Sequence, residues 1–171
     1  LAIFLMLFVL LLQLNSFFQS ALVLSAIVFS LAGVLLALLV RQEPFSVVMS
    51  GIGIMALAGI VVNNNIVLID AYNEYRSDGL SPMEAAVKAA MQRLNPVLLT
   101  ATTTIVGLLP MVLGLTVDFF ERDIFIGAPS GQYWIQLSTA LVGGLLVATF
   151  ITLLLTPAML AWDGQRREKA N

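Results

Sequence analysis

"AGIVVNNNIVLIDAY", Ala58 to Tyr72, sets three consecutive amides, Asn63, Asn64 and Asn65, inside a run that is otherwise almost wholly apolar. An amide buried without a partner costs free energy in a core or in a membrane, so a helix carrying three of them must bond them to neighbours or use them. Upstream, residues 1 to 40 contain no charged side chain. That is room for two segments of about 20 residues, the length that spans a bilayer core. Hydrophobic residues make up 60% of the 171-residue sequence and charged residues 11%. The mean hydropathy of +0.99 lies outside the range of soluble domains.

The same composition excludes several kinds of chemistry. There are no cysteines and no histidines, which removes disulfides, thiolate nucleophiles and the usual zinc ligand sets, so no metal site, cofactor or enzyme constellation is expected. The net charge is −2 with no basic cluster, so no nucleic-acid partner is expected. The sequence opens at Leu1 inside an apolar stretch, with neither Met nor a basic leader, and is expected to be part of a longer polypeptide.

Hydropathy and punctuation predict an all-α, polytopic transmembrane helix bundle. Five spans are expected at about Leu1–Leu14, Ala21–Val40, Phe45–Asp70, Pro96–Leu115 and Ile135–Ala161. The polar and aromatic link from Gln13 to Ser20 suits an interfacial turn between the first two spans, and Arg41 to Pro44 separates the second from the third. With five spans, Arg76, Lys88, Arg93, Arg166, Arg167 and Lys169 fall on one side and only Arg41 and Arg122 on the other. That bias places the C-terminus in the cytoplasm. Trp134 and Trp162 bracket the last span, about 42 Å apart at the helical rise, which matches a bilayer with its headgroups.

Between the third and fourth spans, a separate amphipathic helix is expected over about residues 82 to 94. Ser81 can cap it, Pro82 suits its first position, and Glu84 completes a capping box. Met83, Val87, Met91 and Leu94 share one face and Glu84, Lys88 and Gln92 the other, as in a helix lying on the cytoplasmic membrane surface.

Helical spacing aligns Ala56, Gly59, Asn63 and Asp70 on one stripe of the third span, the mark of an inward face. Asn64 and Asn65 are turned about 100° and 200° from Asn63, so one partner cannot serve all three amides. The fourth span sets Thr100, Thr103, Thr104, Gly107 and Gly114 on one side, with Pro110 expected to kink it. The last span spaces Thr149, Thr152 and Thr156 alike, after Gly143 and Gly144. Such residues serve either as helix glue or as a transport pathway. Asp70 falls near the cytoplasmic end, where headgroups accommodate it.

The stretch "GIVVNNNIVLIDAYNEYRSDGLSPMEAAVKAAMQRLNPVLLTATTTIVGLLPMVLGL" resembles the tenth helix, surface helix and eleventh helix of the resistance-nodulation-division (RND) efflux transporters, hydrophobe/amphiphile branch. "GAPSGQYWIQLSTALVGGLLVATFITLLLTPAML" resembles the twelfth, and residues 1 to 40 resemble the eighth and ninth less specifically. The resemblance implies part of a proton-driven pump of the bacterial inner membrane that exports amphiphilic or multidrug compounds. It implies proton-carrying aspartates on a fourth helix that this sequence does not contain. Their partner positions fall at Asn63, where well-studied members have Lys, and at Arg93 and Thr100, both matching. Asn63 therefore acts by hydrogen bonding and not as an ion pair, while Asn64, Asn65, Asp70, Thr103 and Thr104 are assigned to helix packing or secondary polar contacts. The implied partners are the remaining transporter half and its periplasmic domains, a homotrimer with a periplasmic adaptor and an outer-membrane channel, protons and lipid. A lipid or sterol carrier of the same superfamily and a passive structural membrane module are the alternatives. A reporter joined after Asn171 is predicted to read as cytoplasmic and one inserted near Pro129 as periplasmic; both on one side would contradict five spans.

Overall fold

The computed structural model describes residues 2–118, 123–126 and 131–170. Its helices are α1 (Ala2–Leu14), α2 (Phe17–Arg41), α3 (Met49–Ser77), α4 (Pro82–Val112) and α5 (Gln132–Ala170). A two-stranded antiparallel ribbon, β1 (Leu115–Asp118) and β2 (Asp123–Ile126), lies between α4 and α5. Four helices are long and apolar enough to cross a membrane, and α1 is a shorter apolar helix. The bundle is the expected all-α architecture. The ribbon is an addition to it, built where β-branched residues follow the left-handed Gly114 and pairing Leu115 with Ile126. Arg122 and Pro129, used in the topology argument, lie outside the described residues.

Helix boundaries differ from the expected spans for local reasons. The break between α1 and α2 is only two residues: Asn15 turns the chain at φ +47° and Ser16 caps α2. Gln19 and Ser20, expected in an interfacial turn, are thus buried inside α2. There Gln19 Nε2 donates to Asn73 Oδ1 at 2.7 Å and Asn73 Nδ2 returns a bond at 3.1 Å. α2 ends at Gln42, whose left-handed backbone lets its N–H reach Leu38 and Leu39 carbonyls.

The surface helix and the fourth span are one helix. The capping box at Ser81 and Glu84 starts α4 as expected, but the helix then runs through Pro96 without a break. Proline removes one backbone bond and crowds the preceding turn. In α4 contacts flank it on both sides: the Tyr75 hydroxyl donates to Gln92 Oε1 at 2.9 Å, Lys88 sits 4.6 Å from the Tyr75 ring, and Thr100 Oγ1 donates to the Pro96 carbonyl. Pro110 lies in the last helical turns before the cap at Leu113.

α5 also outruns its expected span, continuing past Trp162 to Ala170. Asp163 and Arg167 pair one turn apart at 2.9 Å, Arg166 stacks over Trp162, and Glu168 meets Arg76 at 2.9 Å. Gly164 lets this end dock, because a Cβ there would lie 2.6 Å from both Pro82 and the Tyr72 hydroxyl.

α5 packs against α2, α3 and α4. Its close approach to α2 and α3 depends on Gly143 and Gly144: added Cβ atoms would lie 2.1 Å from Ala37 Cβ and 2.1 Å from Leu57 Cδ2 respectively. Around that seam, Val34, Leu57, Val61, Ala140 and Leu145 form the core of one half of the bundle. Leu22, Val23, Leu68, Ile69, Tyr72, Ala85 and Leu160 form the other. Gly143→Ala is predicted to destabilise the bundle by about 1–3 kcal/mol, the usual cost of overpacking. Thermal unfolding in detergent checks this, with Gly51→Ala, where no described atom lies within 4 Å, expected to lose less.

Candidate functional site

The rotation of α3 is set by its buried side. Asn65 is fully buried; its Nδ2 donates to the Val61 carbonyl at 3.0 Å and to Thr152 Oγ1 at 3.1 Å, and its Oδ1 accepts from Thr156 Oγ1 at 2.9 Å. Both N–H donors of this amide and its carbonyl oxygen are thus bonded. Asn64 is buried beside it.

With that side turned to α5, the opposite side of α3 is uncovered. Ala56, Gly59, Asn63 and Asp70, the stripe expected to face inward, are all exposed in this chain. A Cβ added at Gly59 would meet nothing within 4 Å. The inward side of α3 is instead the one bearing Gly53, Leu57, Val61 and Asn65. Its partner surface on α5 carries Ala140, Gly144 and Thr152, small enough to admit it.

On α4, Thr100 and Thr103 are exposed and Thr104 is half-buried. Each hydroxyl donates to its own helix at 2.8 Å, to the carbonyls of Pro96, Leu99 and Thr100. Their proton is therefore committed and their remaining lone pairs point outward as acceptors. Gly107 continues this face and is likewise open. Arg93 is half-buried on the N-terminal half of the same helix, and its Nε is shielded with no hydrogen-bond partner among the described residues.

α3 and α4 run antiparallel, joined at Tyr75 with Lys88 and Gln92. Twelve residues back from Tyr75 is Asn63; twelve forward from Lys88 and Gln92 are Thr100 and Thr104. Asn63 and the threonines therefore stand at one level, and Arg93 stands about 10 Å nearer the turn between α3 and α4. No hydrogen bond joins Asn63, Arg93 and Thr100 to one another among the described residues. What they share is an open surface, polar and small, running along two adjacent helices.

Two contacts escaped the sequence reading. The Gln19–Asn73 amide pair carried no periodic signal, since its members lie 54 positions apart. Thr152 and Thr156 were legible as a spaced pair on α5, but only the fold shows that Asn65 is their partner.

Comparison with known proteins places this architecture. A model of the AcrB/AcrD/AcrF family matches residues 1–162. The nickel-cobalt-cadmium resistance protein NccA of Alcaligenes xylosoxydans is 35% identical over 150 residues, which is 88% of this chain and 13% of that protein. The multidrug resistance protein MdtC of Salmonella schwarzengrund is 36% identical over 137 residues, 79% of this chain and 12% of its own length. A crystal structure of a heavy metal efflux pump superposes with a TM-score of 0.75 at 34% identity, covering 94% of this chain and 14% of that one. The chain thus spans about 13% of the length of the relatives it matches.

Asn65→Leu is predicted to lower stability by about 1–2 kcal/mol, because Thr152 and Thr156 lose their cross-helix partner. Asn63→Leu should leave unfolding in detergent within about 0.5 kcal/mol of the parent, as expected for an exposed site. Thermal melts of the two variants side by side decide it.

Proposed function

The chain belongs to the AcrB/AcrD/AcrF family of RND efflux transporters, and from that premise we propose that its helices supply the relay-partner surface of a proton-driven efflux pump of the bacterial inner membrane. The observation that carries this reading is the uncovered face of α3 and α4. Asn63, Thr100 and Thr103 lie exposed there beside Gly59 and Gly107, where an added Cβ would meet no atom of another described element within 4 Å. A polar, small-residue face in hydrocarbon is costly unless further protein covers it, and small residues are what let another helix approach.

In this reading the covering helix belongs to the rest of the membrane domain and carries the titrating carboxylates. Asn63 offers its amide N–H to them, the threonine oxygens accept from water or a protonated acid, and Arg93 supplies positive charge on the cytoplasmic side. Asp70, two turns from Asn63, serves the hydrated end of the face. The whole pump works as a trimer with a periplasmic adaptor and an outer-membrane channel. Its cargo is amphiphilic, as the motif resemblance implies. The names of NccA and CnrA, relatives at 35% identity, favour divalent nickel or cobalt as a second cargo reading.

The test uses the whole transporter in proteoliposomes, with folded protein matched and with an amphiphilic dye and nickel or cobalt as alternative cargoes. Arg93→Ala is predicted to cut transport by roughly tenfold or more, the scale of one lost charge-assisted hydrogen bond. Asn63→Leu should impair transport more than Asn65→Leu does, and Gly107→Leu should impair it despite the open space around that residue here. Normal transport by Asn63→Leu and Gly107→Leu would show that lipid, and not a coupled helix, covers this face.

A further inference from the structure

Away from the α3–α4 face, a groove of about 300 Å³ runs along the seam between α2 and α5. Its walls include Gly33, Ala37, Val142 and Leu146, and Arg41 and Thr139 line it too. We propose that this groove is a phospholipid site, with the phosphodiester held by Arg41 and Thr139 and one acyl chain lying along Val142 and Leu146.

The register of the two helices puts the polar pair together. A Cβ on Gly33 would touch Val147, and one on Gly143 would touch Ala37, so four residues up α2 correspond to four residues down α5. One further step sets Arg41 opposite Thr139. Both stand at the end of α2 where the apolar helix stops, the level at which a lipid changes from acyl chain to headgroup.

Thr139 is 3% exposed and its Oγ1 has no hydrogen-bond partner among the described residues. That is unlike the threonines of α4, whose hydroxyls return to their own helix carbonyls at 2.8 Å. A buried hydroxyl left without a partner costs free energy, and Thr139 is one of the residues that line the groove. Arg41 adds the charge. Glu43 is its anionic neighbour, at 4.0 Å, too far for a hydrogen bond, so the planar donor fork of Arg41 remains available to phosphate.

The rest of the groove's lining is apolar, with Val147 and Ala37 packed against Gly33 and Gly143 along the helix seam. A hydrocarbon chain fits that lining, and a phosphate fits its mouth. A single molecule carrying both is a membrane phospholipid, and the charge match at Arg41 argues for it over a passing apolar side chain.

The experiment places the whole transporter in nanodiscs doped with a phosphatidylethanolamine that bears a photoreactive diazirine on its acyl chain, and maps adducts by peptide mass spectrometry. Adducts are expected on Val142 and Leu146 at about tenfold the level on Leu39, an exposed residue of α2 that reports bulk lipid. Arg41→Gln and Thr139→Val should each reduce groove labelling, Arg41→Gln by about tenfold, as for loss of one charge-assisted hydrogen bond. Labelling at Leu39 should hold, and Arg41→Lys and Thr139→Ser should retain most groove labelling. Equal labelling of the groove and Leu39, insensitivity to Arg41→Gln, or a groove that excludes the probe while Leu39 reacts would each overturn the proposal.

Discussion

One amide decides how α3 is turned. Asn65 sits where no water can reach it, and a polar group in that setting must be satisfied by protein or be expelled. Its bonds to Val61, Thr152 and Thr156 fix it against α5. Because a helix is rigid about its axis, fixing Asn65 also fixes Asn63, about 200° around the same turn of backbone. The exposure of Asn63, Gly59 and Asp70 follows from the burial of Asn65. So does the grouping of Asn63 with the threonines of α4.

Stability and orientation have different sources in this bundle. Hydrogen bonds between membrane helices are worth about 0.6 kcal/mol on average, because the separated helices also find partners. Packing at the glycine seam is worth more, since one misplaced methyl costs about 1–3 kcal/mol. Gly143 and Gly144 therefore hold α5 close to α2 and α3, while the amide bonds choose among the rotations that close packing allows. The Gln19–Asn73 pair does the same for the start of α2 against the C-terminal part of α3.

Residue pattern carried most of the fold but less of the site. The apolar runs, the capping box at Ser81 and the small faces of α3, α4 and α5 were readable because each is local and periodic. Helix ends were less readable: Pro96 and Trp162 look like boundaries, yet Tyr75–Gln92 and Arg76–Glu168 contacts carry α4 and α5 through them. The assignment of the Ala56, Gly59, Asn63 and Asp70 stripe to an inward face assumed one inside. α3 has two polar sides, and periodicity alone does not say which side α5 takes. That depended on Thr152 and Thr156, nearly 90 residues away.

The glycines separate these two sides on energetic grounds. A glycine inside a helix costs roughly 1 kcal/mol relative to alanine, and it is kept where a close approach offsets that cost. Gly33, Gly143, Gly144 and Gly164 all show the offset, since an added Cβ on each would lie under 3.0 Å from a neighbouring helix. Gly59 and Gly107 show none, as the space about them is open in this chain. Both lie on the face that exposes Asn63 and Thr100. If lipid covered that face, alanine would serve both positions better and leucine better still. The residues present there are those that a second helix needs for close approach, set beside amide and hydroxyl groups that it could bond. The open side of α3 and α4 therefore has the composition of an interface.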